Sequence, residues 1–250
     1  MKVKLSALAL GITLAYGMTA AMAADAYIEQ VGGMNHAVID QYDNDGSDVT
    51  ASIITSGWNN DHSIDQTKSD RIWARINAPG SFNTASIDQS RLDYGGAQIY
   101  QAAGGSTASV DQGASYGGSN YGTNHRGGSN HYSRDGSHQW AFINQNDGWG
   151  HDASIVQRGQ KLEATINQRG LYNTAEVDQR GTGGTHNEAD ITQNGSYQYA
   201  SVKQDGFDLI ANVRQYGIGN VALVDMSGNG HVATVVQTGV GNVGVVNQSN

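Results

Sequence analysis

Ala26-Tyr27-Ile28-Glu29-Gln30-Val31-Gly32-Gly33-Met34-Asn35-His36-Ala37-Val38-Ile39-Asp40-Gln41 is the stretch whose reading decides the fold. Ala26, Ile28 and Gln30 alternate with other residues, and Ala37, Ile39 and Gln41 repeat that alternation after an interval containing Gly and Asn. Period-two alternation belongs to strands and puts the three residue types of each set on one face. The Gly and Asn between the sets tolerate positive φ, so they mark a tight arc joining two strands.

The same Ala-x-Ile/Val-x-Gln frame recurs down nearly the whole chain. Its last slot holds Gln30, Gln41, Gln66, Gln89, Gln101, Gln112, Gln145, Gln157, Gln168, Gln179, Gln193, Gln204, Gln215, Gln237 and Gln248, and is broken at Thr55, Ala78 and Met226. Two residues earlier, all eighteen positions are Ile or Val; four residues earlier, sixteen are Ala, with His62 and Gly244 as exceptions. Ile and Val together make up 34 of 250 residues, so chance does not fill eighteen slots of eighteen.

This pattern overrides the composition. Ile, Leu, Val and Phe are about 18% of the chain, against 34 Gly and 40 Asn plus Gln, a balance that by itself predicts disorder. Repeat folds answer it differently, because stacked units bury jointly what no unit buries alone. Pairing the slots as 30/41, 55/66, 78/89, 101/112, 145/157, 168/179, 193/204, 215/226 and 237/248 gives internal spacings of 11, except for one of 12. Spacings between pairs run from 11 to 33, so insertions fall between units. Gly32, Gly57, Gly80, Gly170, Gly195, Gly217 and Gly239 follow the first slot by two residues; turn residues Asn35, Asn60, Asn83, Asn173, Asn220 and Asn242 follow it by five. The expected fold is all-β: a cross-β, amyloid-like β-solenoid of about nine strand-arc-strand rungs of about 22 residues. Ile would stack on Ile at roughly 4.8 Å, Gln amides would form ladders that satisfy buried polar groups, and the stack would be on the order of 40 Å tall. Ala at the third inward slot implies a thin interior.

Residues 1–23 read as a signal peptide: Lys2 and Lys4, an apolar core from about Leu5 to Met18, then Ala21-Met22-Ala23 as a cleavage site. The expected organisation is that leader, repeats one to four over 24–112, a Gly/Ser/His-rich insertion over 113–137, and repeats five to nine over 138–250. Without the leader the chain holds 12 basic and 23 acidic residues, which argues against nucleic acid and anionic membranes as partners. No apolar run beyond the leader is long enough to span a membrane, and with no Cys oxidative folding plays no part.

Asp40, Asp65, Asp88, Asp111, Asp178 and Asp225 precede the second Gln slot of their units and point outward. Neighbours in consecutive rungs would repel by about 0.9 kcal/mol in water, a row that keeps the unit soluble and slows assembly; these Asp are also the candidate cation ligands. His125, His131 and His138 are spaced by six and seven around a Gly-rich insertion that reads as a surface loop. Tyr27, Trp58, Tyr100 and Trp149 are assigned to exposed faces or adhesion. No catalytic constellation and no cofactor site is legible: evenly spaced carboxylates lack the distinct environments that acid-base work needs. The calcium-binding solenoid repeat is nine residues long, unlike this one, and the outward Thr array of an ice-binding solenoid is sparse. The last unit, Gly239 to Gln248, is as regular as the others, so it is expected to present an open edge from which head-to-tail addition builds an open filament. The alternative is a non-polymerising solenoid that binds cations, ice or another ligand.

The frame resembles the curlin repeat, Ser/Ala-x-Ile/Val-x-Gln-x-Gly-x-x-Asn-x-Ala-x-Val/Ile-x-Gln, in Ile28 to Gln41, Asn173 to Gln179 and Asn220 to Asp225. The resemblance covers residues 26–112 and 141–248. It implies a subunit of curli, the extracellular amyloid fimbriae that serve biofilm matrix, adhesion and surface colonisation. It also implies export through the periplasm and an outer-membrane curli secretion pore, with a periplasmic chaperone, other curlin subunits and host matrix proteins or surfaces as partners. Familiar curlins have about five repeats and a Gly/Asn-rich pore-targeting segment. Here nine repeats begin at Ala26, which leaves open the choice between fibre subunit and nucleator.

Overall fold

The computed structural model describes residues 2–10, 13–16, 24–44, 48–114, 136–181 and 186–250. All regular structure among them is β. The first rung comes from one long strand, β3 (Ala24–Tyr42), after two N-terminal strands, β1 (Lys2–Leu10) and β2 (Thr13–Tyr16). Rungs two to four are β4 (Val49–Trp58) with β5 (Asp61–Thr67), β6 (Asp70–Ala78) with β7 (Thr84–Ser90), and β8 (Leu92–Gln101) with β9 (Thr107–Gly113). Rungs five and six share β11 (Asp152–Leu171), which follows β10 (Gly136–Trp149) and precedes β12 (Thr174–Gly181). The last three are β13 (Asn187–Ser196) with β14 (Tyr199–Phe207), β15 (Ile210–Ile218) with β16 (Val221–Asn229), and β17 (Val232–Val240) with β18 (Val243–Ser249).

Each strand pairs in parallel with the equivalent strand of the next rung, and the repeat slots set the register. Ile28 meets Ile53, Ile53 meets Ile76, and the column continues through Ile99, Ile143, Ile166, Ile191 and Val213 to Val235. A second column runs from Ile39 to Val246 in the other strand. Every Ile or Val between those ends is buried, and with the Ala residues they form one continuous core. Register is strongly specified, because a slip of one residue would turn every Ala, Ile and Gln outward.

The insertion does not divide the stack. β10 pairs with β8 and β11 with β9, so Ala97 meets Ala141 and Val110 meets Ile155 across it. Residues 115–135, including His125 and His131, lie outside the described residues. The one unit with a spacing of 12 resolves as a bulge at Asp147, between Asn146 paired with Arg169 and Gly148 paired with Gly170.

The arcs correct one sequence expectation. The positive-φ positions are the glycines, such as Gly32 at 111° and Gly170 at 110°, and the residue before each turn Asn: Met34, Asn59, Phe82 and Tyr172 at 52–62°. The turn Asn residues themselves are not among them. Gly80 likewise lacks the positive φ of its equivalents. The glycines are needed twice over, since a Cβ on Gly170 would lie 1.9 Å from the Gly195 carbonyl oxygen of the rung beyond.

Candidate functional site: the ladders and the two edges of the stack

Two glutamine ladders run up the interior. In the second strands, each Gln Nε2 donates to the Oε1 of the next rung from Gln41 through Gln66, Gln89, Gln112, Gln157 and Gln179 to Gln204, at 2.7–2.9 Å. In the first strands the run is Gln101, Gln145, Gln168, Gln193, Gln215 and Gln237, at 2.8–3.0 Å. The other amide hydrogen crosses to the facing sheet, as from Gln66 to the Thr50 carbonyl and from Gln215 to the Tyr199 carbonyl. Both donors are thereby satisfied in a buried interior, where leaving one unmade costs about 1–3 kcal/mol.

All these bonds point the same way along the stack. A Gln whose preceding rung lacks Gln is therefore left without a donor for its Oε1. Three such oxygens are buried and unpartnered: Gln101, which follows Ala78; Gln248, which follows Met226; and Gln41, in the first rung. The N-terminal edge thus presents a buried acceptor. At the opposite edge Gln237 and Gln248 each keep the bond that crosses to the facing sheet, to the Val221 and Val232 carbonyls, and no further rung covers them among the described residues. Val235 and Gln237 are 8% and 7% exposed, whereas equivalent interior residues are sealed.

The crossing bonds also show that the Gln slot of one strand faces the Ala slot of the other. Gly244, in an Ala slot, confirms it: a Cβ there would meet the Gln237 amide and Val235 at 3.2 Å. This explains why the broken slots cluster. His62 occupies an Ala slot of rung two, and the Gln slots opposite it in rungs two and three are the smaller Thr55 and Ala78. His62 is 1% exposed with neither ring nitrogen bonded. Burial lowers its pKa to about 4, against the opposing pull of Asp61.

Asn35, Asn60, Asn83, Asn173 and Asn220 are buried, and Asn242 closes the last rung. The turn Asn oxygen accepts the backbone N–H at the same slot of the next rung, from Asn35 to Asn60, Asn60 to Asn83 and Asn83 to Ser106 at 3.0–3.1 Å. Its amide holds its own arc and the next glycine carbonyl, as Asn173 does with Arg169 and Gly195. Ser106, His151 and Gln198 occupy the same column.

The Asp row is continuous only over its first four members, Asp40, Asp65, Asp88 and Asp111. Val156 and Lys203 then interrupt it on either side of Asp178, and Asn247 follows Asp225. Burial and then the neighbouring Asp111 and Asp65 carboxylates raise the Asp88 pKa. Asp111 pairs with Arg158, Asp178 with Arg180 and Asp225 with Lys203. Among the described residues, no three His, Asp or Glu side chains converge in a way that could hold a metal ion.

In-register rungs, a thin Ala/Ile/Val core and polar ladders along the axis define a β-solenoid repeat protein. A family model described as the curlin associated repeat matches residues 152–181, 184–217 and 208–239, which supports the curlin family for that part of the chain. The rungs of residues 24–113 carry the same slots in the same register, so the repeat extends beyond the matched residues. No curated protein matches the chain.

Proposed function

We propose that this protein is a non-enzymatic structural subunit that polymerises head to tail into extracellular curli-type fibres. Curlin repeats support a curli-type structural subunit. The observation that carries the polymerisation step is the polarity of the glutamine ladder. Stacking a second copy in continuous register brings its Gln41 Oε1, a buried orphan acceptor, to the Gln248 amide of the copy before it. Backbone groups of β17 and β18 meet those of β3 in the same step, and an open edge of this kind templates addition.

In the full chain the N-terminal edge is not bare. β1 and β2 lie antiparallel along β3, Leu5 opposite Ile39 and Ala15 opposite Ile28. Residues 1–23 read as a secretion leader, and its removal exposes the edge that addition needs. Biofilm matrix, adhesion, passage through a secretion pore and help from a chaperone follow from the family reading. An amyloid-binding dye and electron microscopy, applied to purified protein with and without residues 1–23, test the proposal. Filaments should form after a lag and be shortened in onset by preformed seeds. Monodisperse protein persisting for days at tens of micromolar defeats it.

A further inference from the structure

We propose that one edge of the solenoid is a lateral docking face on which a second solenoid of the same chain packs; this rests on the stacking of copies into filaments proposed above. Along the arc between the two strands of each rung stand Trp58, Phe82, Trp149, Tyr172 and Tyr197, all 44–62% exposed. Arc hydrogen bonds align them: Phe82 N–H donates to the Trp58 carbonyl, Tyr172 to Trp149 and Tyr197 to Leu171, at 2.8–2.9 Å. Rings pack along the stack, Phe82 against Trp149 with centroids 6.1 Å apart and Tyr172 on Tyr197 at 5.4 Å. Met34 and Leu171, then Ile218 and Val240 toward the C-terminal end, carry the ridge through the remaining rungs at 43–75% exposure. Only rung four contributes no large side chain, and Trp149 leans over its Gly104 and Gly105.

The ridge is thus continuous from Met34 to Val240, and it faces solvent. At roughly 150–250 Å² for a whole aromatic side chain, nine large side chains about half exposed offer several hundred Å². An isolated exposed patch of that size marks an interaction surface, and it approaches the roughly 800 Å² that each partner gives to a stable interface. The opposite edge is more mixed: its arcs carry the ion pairs Lys68–Asp43 and Arg71–Asp93 beside the exposed rings of Tyr42, Tyr94 and Phe207, whereas on the ridge edge the exposed pair Arg169–Asp147 flanks the row.

The period of the ridge selects the occupant. Its side chains follow the rungs in one row, at the roughly 4.8 Å spacing of paired strands, with Trp149 covering the gap at rung four. A curved globular surface matches a few of them; a second solenoid, straight and of the same period, covers the row from end to end. Head-to-tail stacking prolongs the ridge from Val240 of one copy to Met34 of the next, so paired filaments bury it without interruption.

The test replaces the ridge aromatics while leaving every inward slot intact. Phe82, Tyr172 and Tyr197 have positive φ, so they are changed to Asn, which tolerates that conformation; Trp58 and Trp149 become Ser. Wild-type filaments should have the mass per length of two solenoids, and filaments of the five-fold variant half of it, with dye binding kept. Wild-type filaments with the mass of one solenoid, or variant filaments that keep the doubled mass, overturn the proposal. Should the variant not assemble, the wild type decides: acrylamide quenching of Trp58 and Trp149, read with Trp73 and Trp140 replaced by Phe, should drop at least two-fold on filament formation, and unchanged quenching overturns pairing. Absence of wild-type filaments, in contrast, defeats the stacking proposal itself.

Discussion

His62 is the residue whose environment departs furthest from its type's preference. Its ring is sealed among Ala positions, and its pKa of about 4 lies below the 6.5 of an unburied His. The unfolded chain therefore takes up a proton that the folded chain refuses, and stability present above pH 6.5 is lost as pH falls toward 4. The loss should reach about 2 kcal/mol between pH 7 and pH 5. His62→Ala should abolish most of that slope, measured as the difference in urea midpoint between the two pH values. An equal slope in the variant would assign the acid sensitivity elsewhere. The turn Asn residues teach a related lesson. Their place in the arc is legible from spacing, whereas their role is not: αL tolerance suggests itself, yet the αL residue is the neighbour before, and Asn serves as a hydrogen-bond rung. That distinction depends on which atoms lie in the adjacent rung.

At the scale of the arc, two kinds of glycine separate. Gly170 combines a φ of 110° with the close approach of the Gly195 carbonyl, whereas Gly219, at 66°, has nothing within 4 Å of a built Cβ. Gly170→Ala should therefore cost about 2–4 kcal/mol and Gly219→Ala about 1 kcal/mol, compared by urea unfolding. Equal costs would mean that backbone conformation alone sets the requirement. Slot counting identifies Gly170 as an arc residue; it does not reveal the carbonyl beyond it. Equally, the odd spacing of 12 marks rung five as unusual, but only the pairing of Gly148 with Gly170 places the extra residue at Asp147.

For the whole molecule the two ends differ in charge as well as in ladder polarity. Residues 226–250 contain no Asp, Glu, Lys or Arg. In the continuous register proposed for stacking, Asn247 meets Asp40 and Val236 meets Glu29 of the next copy, so the junction avoids the repulsion that runs along Asp40, Asp65, Asp88 and Asp111. Asn247→Asp should restore it at about 0.9 kcal/mol in water, slowing seeded elongation several-fold, with the deficit shrinking as salt rises. A salt-independent rate, equal to wild type, would exclude this register.

The sequence by itself determined the strands, their two inward columns, the count of rungs and the glutamine ladders, because a period of two and a fixed slot order are local properties that each unit repeats. Tertiary structure alone decided which rungs become neighbours across the insertion, which Asp residues truly adjoin, and why His62, Thr55 and Ala78 break the pattern together. It also aligned the large side chains of the two arc slots before the turn residue into one exposed ridge. The physical reason is common to all of these: they are relations between rungs, or between the two faces of one rung, and they come into being only when the stack closes.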